Sequence, residues 1–476
     1  MPDQPASKMP LPMGVRADTG QTRPPLTEDD LHHITGDSAA VLARGKRGKV
    51  LSVSSTVDDA SDLSQAGWGV LLASDADPAI LEALKPLLDR RRGQVQEDRL
   101  FKIFQGPAGV RPTQRASSWA ANKGISLVSP VEPFKGVPYY LLMVGSPKAI
   151  PFEFQAEFDL QWAVGRLHFD KPEDYAAYAQ NVVDYETGKV PPRTRRAALW
   201  MTRNPGDLAT ALLSGTIAPD FLGETNAANL TLGQKQKFEL SSYIGAGQAT
   251  KSRLADILRG KDMAGLPSVL FTGSHGAEFP ISDPAVQREL QGALVTQEWS
   301  GQPLLPEHYF SAADIPADAQ IHGMIAFLFA CYGGGCPDTD NYFFAPDGSR
   351  LPVAPESLIA RLPQRLLTGG ALAVIAHIDR AFTYGFADTL DTPQVEVLRS
   401  PLEVIMKGKP VGLAMDAINL QWSSYAAQLG LLLGGNGQAT PPQPPTLANM
   451  YIARDDARNY MVLGDPAVHL RTPAMV

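Results

Sequence analysis

Two short apolar runs, each ending on a chemically reactive residue, constrain this chain more than anything else in it. The first is Ser268-Val269-Leu270-Phe271-Thr272, followed at once by Gly273-Ser274-His275-Gly276. The second is Gly323-Met324-Ile325-Ala326-Phe327-Leu328-Phe329-Ala330, followed by Cys331-Tyr332-Gly333-Gly334-Gly335. Continuous apolar runs bounded by glycine suit strands buried on both faces, the condition of a parallel sheet covered by helices. In open α/β sheets ligands bind just beyond the carboxyl ends of such strands. The pattern therefore predicts an α/β fold that carries an imidazole and a thiol at two of its strand ends.

Further strands and helices alternate along the chain. Trp68 to Ala73, Tyr139 to Gly145, Ala197 to Met201 and Ala371 to Ala376 read as strands. Pro78 to Arg92 carries apolar residues at Ile80, Leu81, Leu84, Leu87 and Leu88, the spacing of one helical face, and Asp77-Pro78 suits its start. Pro172 to Thr187, Ser252 to Arg259, Glu356 to Leu367 and residues 401 to 434 also read as helical. The run Pro191-Pro192-Arg193-Thr194-Arg195-Arg196 is a stiff, basic break. It divides an amino-terminal arm (1–60) and a smaller α/β subdomain (61–192) from a larger α/β domain (193–476). Residues 1 to about 30 lack periodicity and predict a loosely draped arm. The segment from Pro280 to Gln320 predicts a long loop over the cleft.

Composition narrows the function classes. A net charge of -8 speaks against a nucleic-acid partner, which asks for a basic surface. With only two cysteines, Cys331 and Cys336, in 476 residues there is no disulfide framework, and a reducing compartment is expected. The amino terminus has no apolar core of a signal peptide and no uncharged run is long enough to span a bilayer, so a soluble, cytoplasmic protein with no membrane partner is expected. The remaining histidines, His32, His33, His168, His308, His322 and His469, lack metal-ligand spacing, and no metal or cofactor is expected. The glycines after Cys331 invite a phosphate-binding reading, yet no lysine or Ser/Thr follows in P-loop register.

A hydrophobic block then His-Gly, followed by a second block then Ala-Cys-x-Gly, resembles the caspase and gingipain clan of cysteine peptidases, most of all the gingipain family. The matching residues are His275-Gly276 and Ala330-Cys331-Tyr332-Gly333. Fainter echoes are the strand end Val144-Gly145, Ile150-Pro151, Gly165-Arg166 and the closing Tyr460 to Pro466, so the likeness runs patchily over about 65–472. The resemblance implies a caspase-like three-layer sandwich with a mostly parallel central sheet, preceded by a smaller α/β subdomain, in a bacterial thiol protease. It makes Cys331 the nucleophile, His275 the general acid and base, and the N–H groups of Gly276 and Cys331 the oxyanion hole. Its partners are a peptide or protein substrate, with room for an activating protein.

The substrate pocket stays open between candidates. His377-Ile378-Asp379-Arg380 closes the strand after the cysteine. Asp379 facing the residue before the scissile bond implies cleavage after Arg or Lys, the expectation carried forward, and Arg380 there implies an acidic residue. Asp170 and Asp174 compete from the first subdomain, and His377 sits where a pocket residue would, although a histidine at a strand end is more often a structural group. Asp159 and Gln161 are the nearest options for a third group orienting the histidine. Against the enzyme stands a catalytically silent scaffold or sensor that binds a peptide or protein partner in the same cleft.

Overall fold

The computed structural model describes residues 11–24, 30, 57–262, 265–388, 392–433 and 444–475. The apolar runs become strands in a single ten-stranded sheet. In its amino-terminal half are β2 (Trp68–Leu72), β3 (Phe101–Phe104), β4 (Tyr140–Val144) and β5 (Ala163–Leu167), and a short β1 (Gly14–Arg16) lies outside it. The other half holds β6 (Arg196–Met201), β7 (Glu239–Ile244), β8 (Val269–Gly273), β12 (Ile325–Phe329) and β17 (Ala373–His377). The closing strand β18 (Tyr460–Gly464) fits between the halves, in the order β3-β2-β4-β5-β18-β17-β12-β8-β6-β7. All neighbours run parallel except β17 and β18. That one antiparallel pair reverses the direction of the first half relative to the second. The fold is thus the expected α/β architecture with a mostly parallel sheet, and the sheet runs unbroken past the basic break at 191–196.

The closing strand reaches this position through close backbone approach. A Cβ on Gly165 would sit 2.1 Å from the carbonyl oxygen of Gly464, so β5 and β18 meet only because Gly165 has none. Behind them Arg91, fully buried, bonds Glu186 and Asp465, and Asp465 also accepts from Trp68 Nε1. Helices follow the predicted periodicity. Pro172–Thr187 buries Tyr175, Tyr178, Val182 and Tyr185 and stops on Gly188 in the left-handed conformation at φ 82°. Lys251–Arg259 ends the same way on Gly260. The stretch from Pro78 divides into Pro78–Ala83 and Lys85–Val95, because Pro86 opens a second helix. The expected helix from Glu356 begins only at Arg361, and β16 (Leu358–Ile359) pairs with β13 (Gly335–Cys336) ahead of it. A small hairpin joins β14 (Thr339–Phe344) and β15 (Arg350–Pro352).

Two expectations about irregular segments change. Residues 11–24 do not drape loosely: β1 joins a four-stranded sheet with β9 (Gly276–Glu278), β10 (Leu294–Val295) and β11 (Tyr309–Phe310). The predicted loop from Pro280 supplies β10, β11 and the helix Pro284–Leu290. Its apolar residues are spaced too unevenly to show a period, and Ala293, Val295, Trp299 and Tyr309 pack with Ala277 and Phe279 around Val15 and Ala17. Among the described residues no helix is long and apolar enough to cross a membrane.

Candidate active site

β8 and β12 are immediate neighbours, with Gly273 opposite Phe329, so the residues that follow them leave the sheet side by side. Ser274 N–H donates to Phe329 O at 3.1 Å and carries the ladder one step beyond the strand. His275 and Cys331 come next. Gly276 then lies directly against the cysteine backbone: a Cβ there would stand 1.8 Å from Cys331 O and 3.0 Å from Cys331 N. Only glycine allows that contact, which makes Gly276 a steric requirement of the His-Gly dipeptide. The turn after the cysteine has its own strain, since Tyr332 adopts φ 58°, an uncommon conformation for a residue with a side chain. Packing holds it there: Tyr332 is fully buried, with the Arg380 guanidinium 5.4 Å from its ring centroid.

The imidazole is oriented from one side. His275 Nε2 donates to Asp207 Oδ2 at 2.9 Å, and the ring edge meets Trp299. Asp207 is itself fixed, because it caps the helix Leu208–Phe221 and accepts from both the N–H and the hydroxyl of Thr210. Burial alone would raise the carboxyl, but the imidazole and Thr210 outweigh it and hold Asp207 at about 2. His275 Nδ1 is buried with no hydrogen-bond partner. Asp207 is a site residue that the sequence reading missed. Its one signal was an Asp immediately before an apolar helical run, which reads as an ordinary N-cap.

The sulfur is enclosed. Cys331 is fully buried, its Sγ accepts from Ala381 N–H at 3.2 Å, and Ala381 O lies 3.5 Å away. Burial pushes the thiol well up, against the pull of Arg380. β1 lies over it: Gly276 N–H donates to Met13 O at 3.0 Å, and a Cβ on Gly14 would be 3.3 Å from Sγ.

The other candidates have structural partners. β17 is parallel to β12, so His377 does share the edge of Cys331, yet its ring is buried between Asp379 O and Asp456, edge-on to Tyr460. The Asp379 carboxylate accepts from Asn341 Nδ2 and from Arg380 N–H, and burial pushes it up to about 6. Arg380 is buried between Glu278 and Asp340. Asp170 bridges Arg288 and Arg361, and Asp174 sits in the first turn of Pro172–Thr187. Asp159 is half-buried at the end of the helix Phe152–Asp159, and Gln161 donates to Leu127 O, so the group facing His275 is Asp207 instead of either. Cys336 is buried beside Gln291. His32 and His33 lie outside the described residues.

No protein-family model matches the chain, and no curated protein matches it by sequence. Solved structures do. One described as a protease is 13% identical, with a TM-score of 0.47 over 85% of this chain and 78% of its own. The complex of Porphyromonas gingivalis RgpB pro- and mature domains is 13% identical, with a TM-score of 0.45 over 85% of this chain and 80% of that one. The Saccharomyces cerevisiae separase in its complex with securin is 10% identical, with a TM-score of 0.34 over 70% of this chain and 16% of that one.

Proposed function

We propose that this chain is a cysteine endopeptidase acting through Cys331 and His275. The observation that carries the reading is the register of β8 and β12: it sets Cys331 beside His275-Gly276, with Gly276 N–H engaged by a peptide carbonyl and His275 Nδ1 unpartnered. A thiol needs a base near neutral pH and donors aimed at the developing oxyanion, and these groups supply both. Cys331 Sγ attacks the peptide carbonyl carbon, and the oxyanion is held by the N–H groups of Gly276 and Cys331. His275 passes the thiol proton to the departing amine, leaving a thioester, and then takes a proton from the water that hydrolyses it. Asp207 holds the imidazole in the tautomer that leaves Nδ1 free for this exchange.

Cleavage after Arg or Lys drew on Asp379, whose carboxylate is committed to Asn341 and the Arg380 N–H, so the proposal is kept to the peptide bond. One observation favours the silent scaffold as a second reading: the thiol is sealed and pushed up by burial. Cleavage of a peptide library separates the two. It is measured on the wild-type chain and on Met13→Asp/Val15→Asp, in which two carboxylates placed at fully buried sites drive β1 out. Cys331→Ala in the same background is expected to abolish cleavage, and unaltered turnover there removes the proposal.

Asp207→Asn tests the orienting role. Asn is as good a helix cap as Asp, so the melting temperature is expected to hold. Turnover is expected to fall by roughly 10²–10⁴, as when the carboxylate behind a catalytic imidazole is lost. A matched fall in stability, or no fall in rate, would make Asp207 a cap and nothing more.

A further inference from the structure

Residues 12–17 cross the candidate site as an extended strand with the contacts of a bound peptide. Met13 N–H donates to Ala381 O at 2.9 Å, and Met13 O accepts from Gly276 N–H at 3.0 Å. Pro12 bridges Phe382 antiparallel on one side, while β1 runs parallel to β9 on the other, Gly14 opposite Gly276. Ala17 N–H continues the ladder to Glu278 O at 2.8 Å. The Met13–Gly14 peptide therefore has the oxyanion donor on its carbonyl and the sulfur beside its glycine. The segment is also locked down. Arg23 pairs with Glu278 at 2.6 Å, Leu304 N–H donates to Ala17 O, and Gly20 lies against the backbone of Gln302.

Side chains divide between two environments. Met13, fully buried, joins the main apolar core that also holds Cys331, Tyr332 and Ala381. Val15 and Ala17 join the separate cluster with Phe279 and Trp299. A lysine or arginine at Met13 would bury a cation where Asp379 is already committed and Arg380 is already paired. At the next position a Cβ would come within 3.3 Å of Sγ, so the space there suits glycine.

We infer that residues 12–17 mark the substrate track of this cleft, that Met13–Gly14 occupies the place of the bond presented to Cys331, and that the resting chain blocks its own site. The substrate class is then an extended peptide with an unbranched apolar residue followed by glycine. This rests on the cysteine peptidase reading. In such a peptide Sγ bonds to the methionine carbonyl carbon, the bond to the glycine nitrogen breaks, and that nitrogen leaves as an amine with the proton from His275. Water then cleaves the thioester to a methionine carboxylate and the thiol.

The test uses iodoacetamide with mass mapping of both cysteines, and the peptide acetyl-Leu-Pro-Met-Gly-Val-Arg-amide beside versions with Arg or Lys in place of Met. In the wild-type chain Cys331 is expected to label no faster than buried Cys336. In Met13→Asp/Val15→Asp, Cys331 is expected to label at least ~10-fold faster while Cys336 stays protected, because a thiol reacts only when reached and ionised. The same variant is expected to cut the Met peptide at least ~10-fold faster than the Arg and Lys versions, the discrimination one buried side chain commonly supplies. Fast labelling of Cys331 in the wild type, equal labelling in the two chains, or preference for the Arg or Lys peptide overturns the inference. Released labelling without any peptide cleavage keeps the blocking strand and removes the peptidase instead. If Cys336 labels too, the variant has unfolded, and Gly14→Gln, whose side chain would collide with Cys331 Sγ and so lift the strand off the sulfur without burying a charge, takes its place under the same criteria.

Discussion

Arg380→Leu is expected to lower stability by about 3–5 kcal/mol, the usual cost of removing one partner from a buried ion pair. Arg380 is fully buried and bonds Glu278 at 2.7 Å and Asp340 at 2.8 Å, so its loss strands two carboxylates in the interior. Arg23 relieves only one of them, by its own pair with Glu278. The deficit should depend on pH. Burial would raise the Glu278 carboxyl, but Arg380 and Arg23 hold it down at about 2 against an ordinary 4.5. A depressed acid contributes stability that is present above its unfolded value and lost as pH falls through the folded one. Wild type therefore loses this contribution between about pH 4.5 and pH 2, whereas the variant, with Glu278 no longer held down by Arg380, has less of it to lose. Urea titrations at pH 7 and pH 3 are expected to show the gap between the two proteins narrowing in acid. A gap of constant size would mean that packing, and not charge, sets the cost.

Gly276→Ala is expected to cost both turnover and stability. The new methyl would fall 1.8 Å from Cys331 O and 2.7 Å from Cys331 C, so β9 and the cysteine turn must part. Backbone, unlike the end of a long side chain, has no rotamer with which to give way. Separation moves the Gly276 N–H off the carbonyl it serves, and loss of one such donor costs roughly 10²–10³ in turnover. It should also lower stability by about 1–3 kcal/mol, the range for overpacked sites. Rates are compared in the Met13→Asp/Val15→Asp background together with melting curves. A Gly276→Ala chain that keeps full turnover would show that this amide does not face the reacting carbonyl.

Much of the fold could be read from local pattern. Ile325–Phe329 is apolar throughout and Val269–Gly273 nearly so, and a strand buried on both faces needs that composition and little else. Pro172–Thr187 repeats its aromatic residues at helical spacing and stops on a glycine. Edge strands were harder. β7 is half-exposed, with Glu239, Ser241 and Ser242 in its run, and its partner β6 supplies the order that its own residues do not. The position of β18 was likewise out of reach, because nothing in Tyr460–Gly464 itself marks it as the strand that joins the two halves.

The sequence by itself determined several of the central buried strands, that a His-Gly and a Cys-x-Gly turn each follow one, and that the sheet is mostly parallel. Those properties lie in side-chain polarity and glycine placement, which are written locally. Only the tertiary structure decided that Asp207 faces His275, that Asp379 and His377 are held by partners of their own, and that residues 12–17 lie across the cleft. The last of these is a matter of main-chain hydrogen bonds, Met13 with Ala381 and Gly276. Every residue but proline carries the same amide and carbonyl, so no side-chain pattern announces which distant strand will accept them.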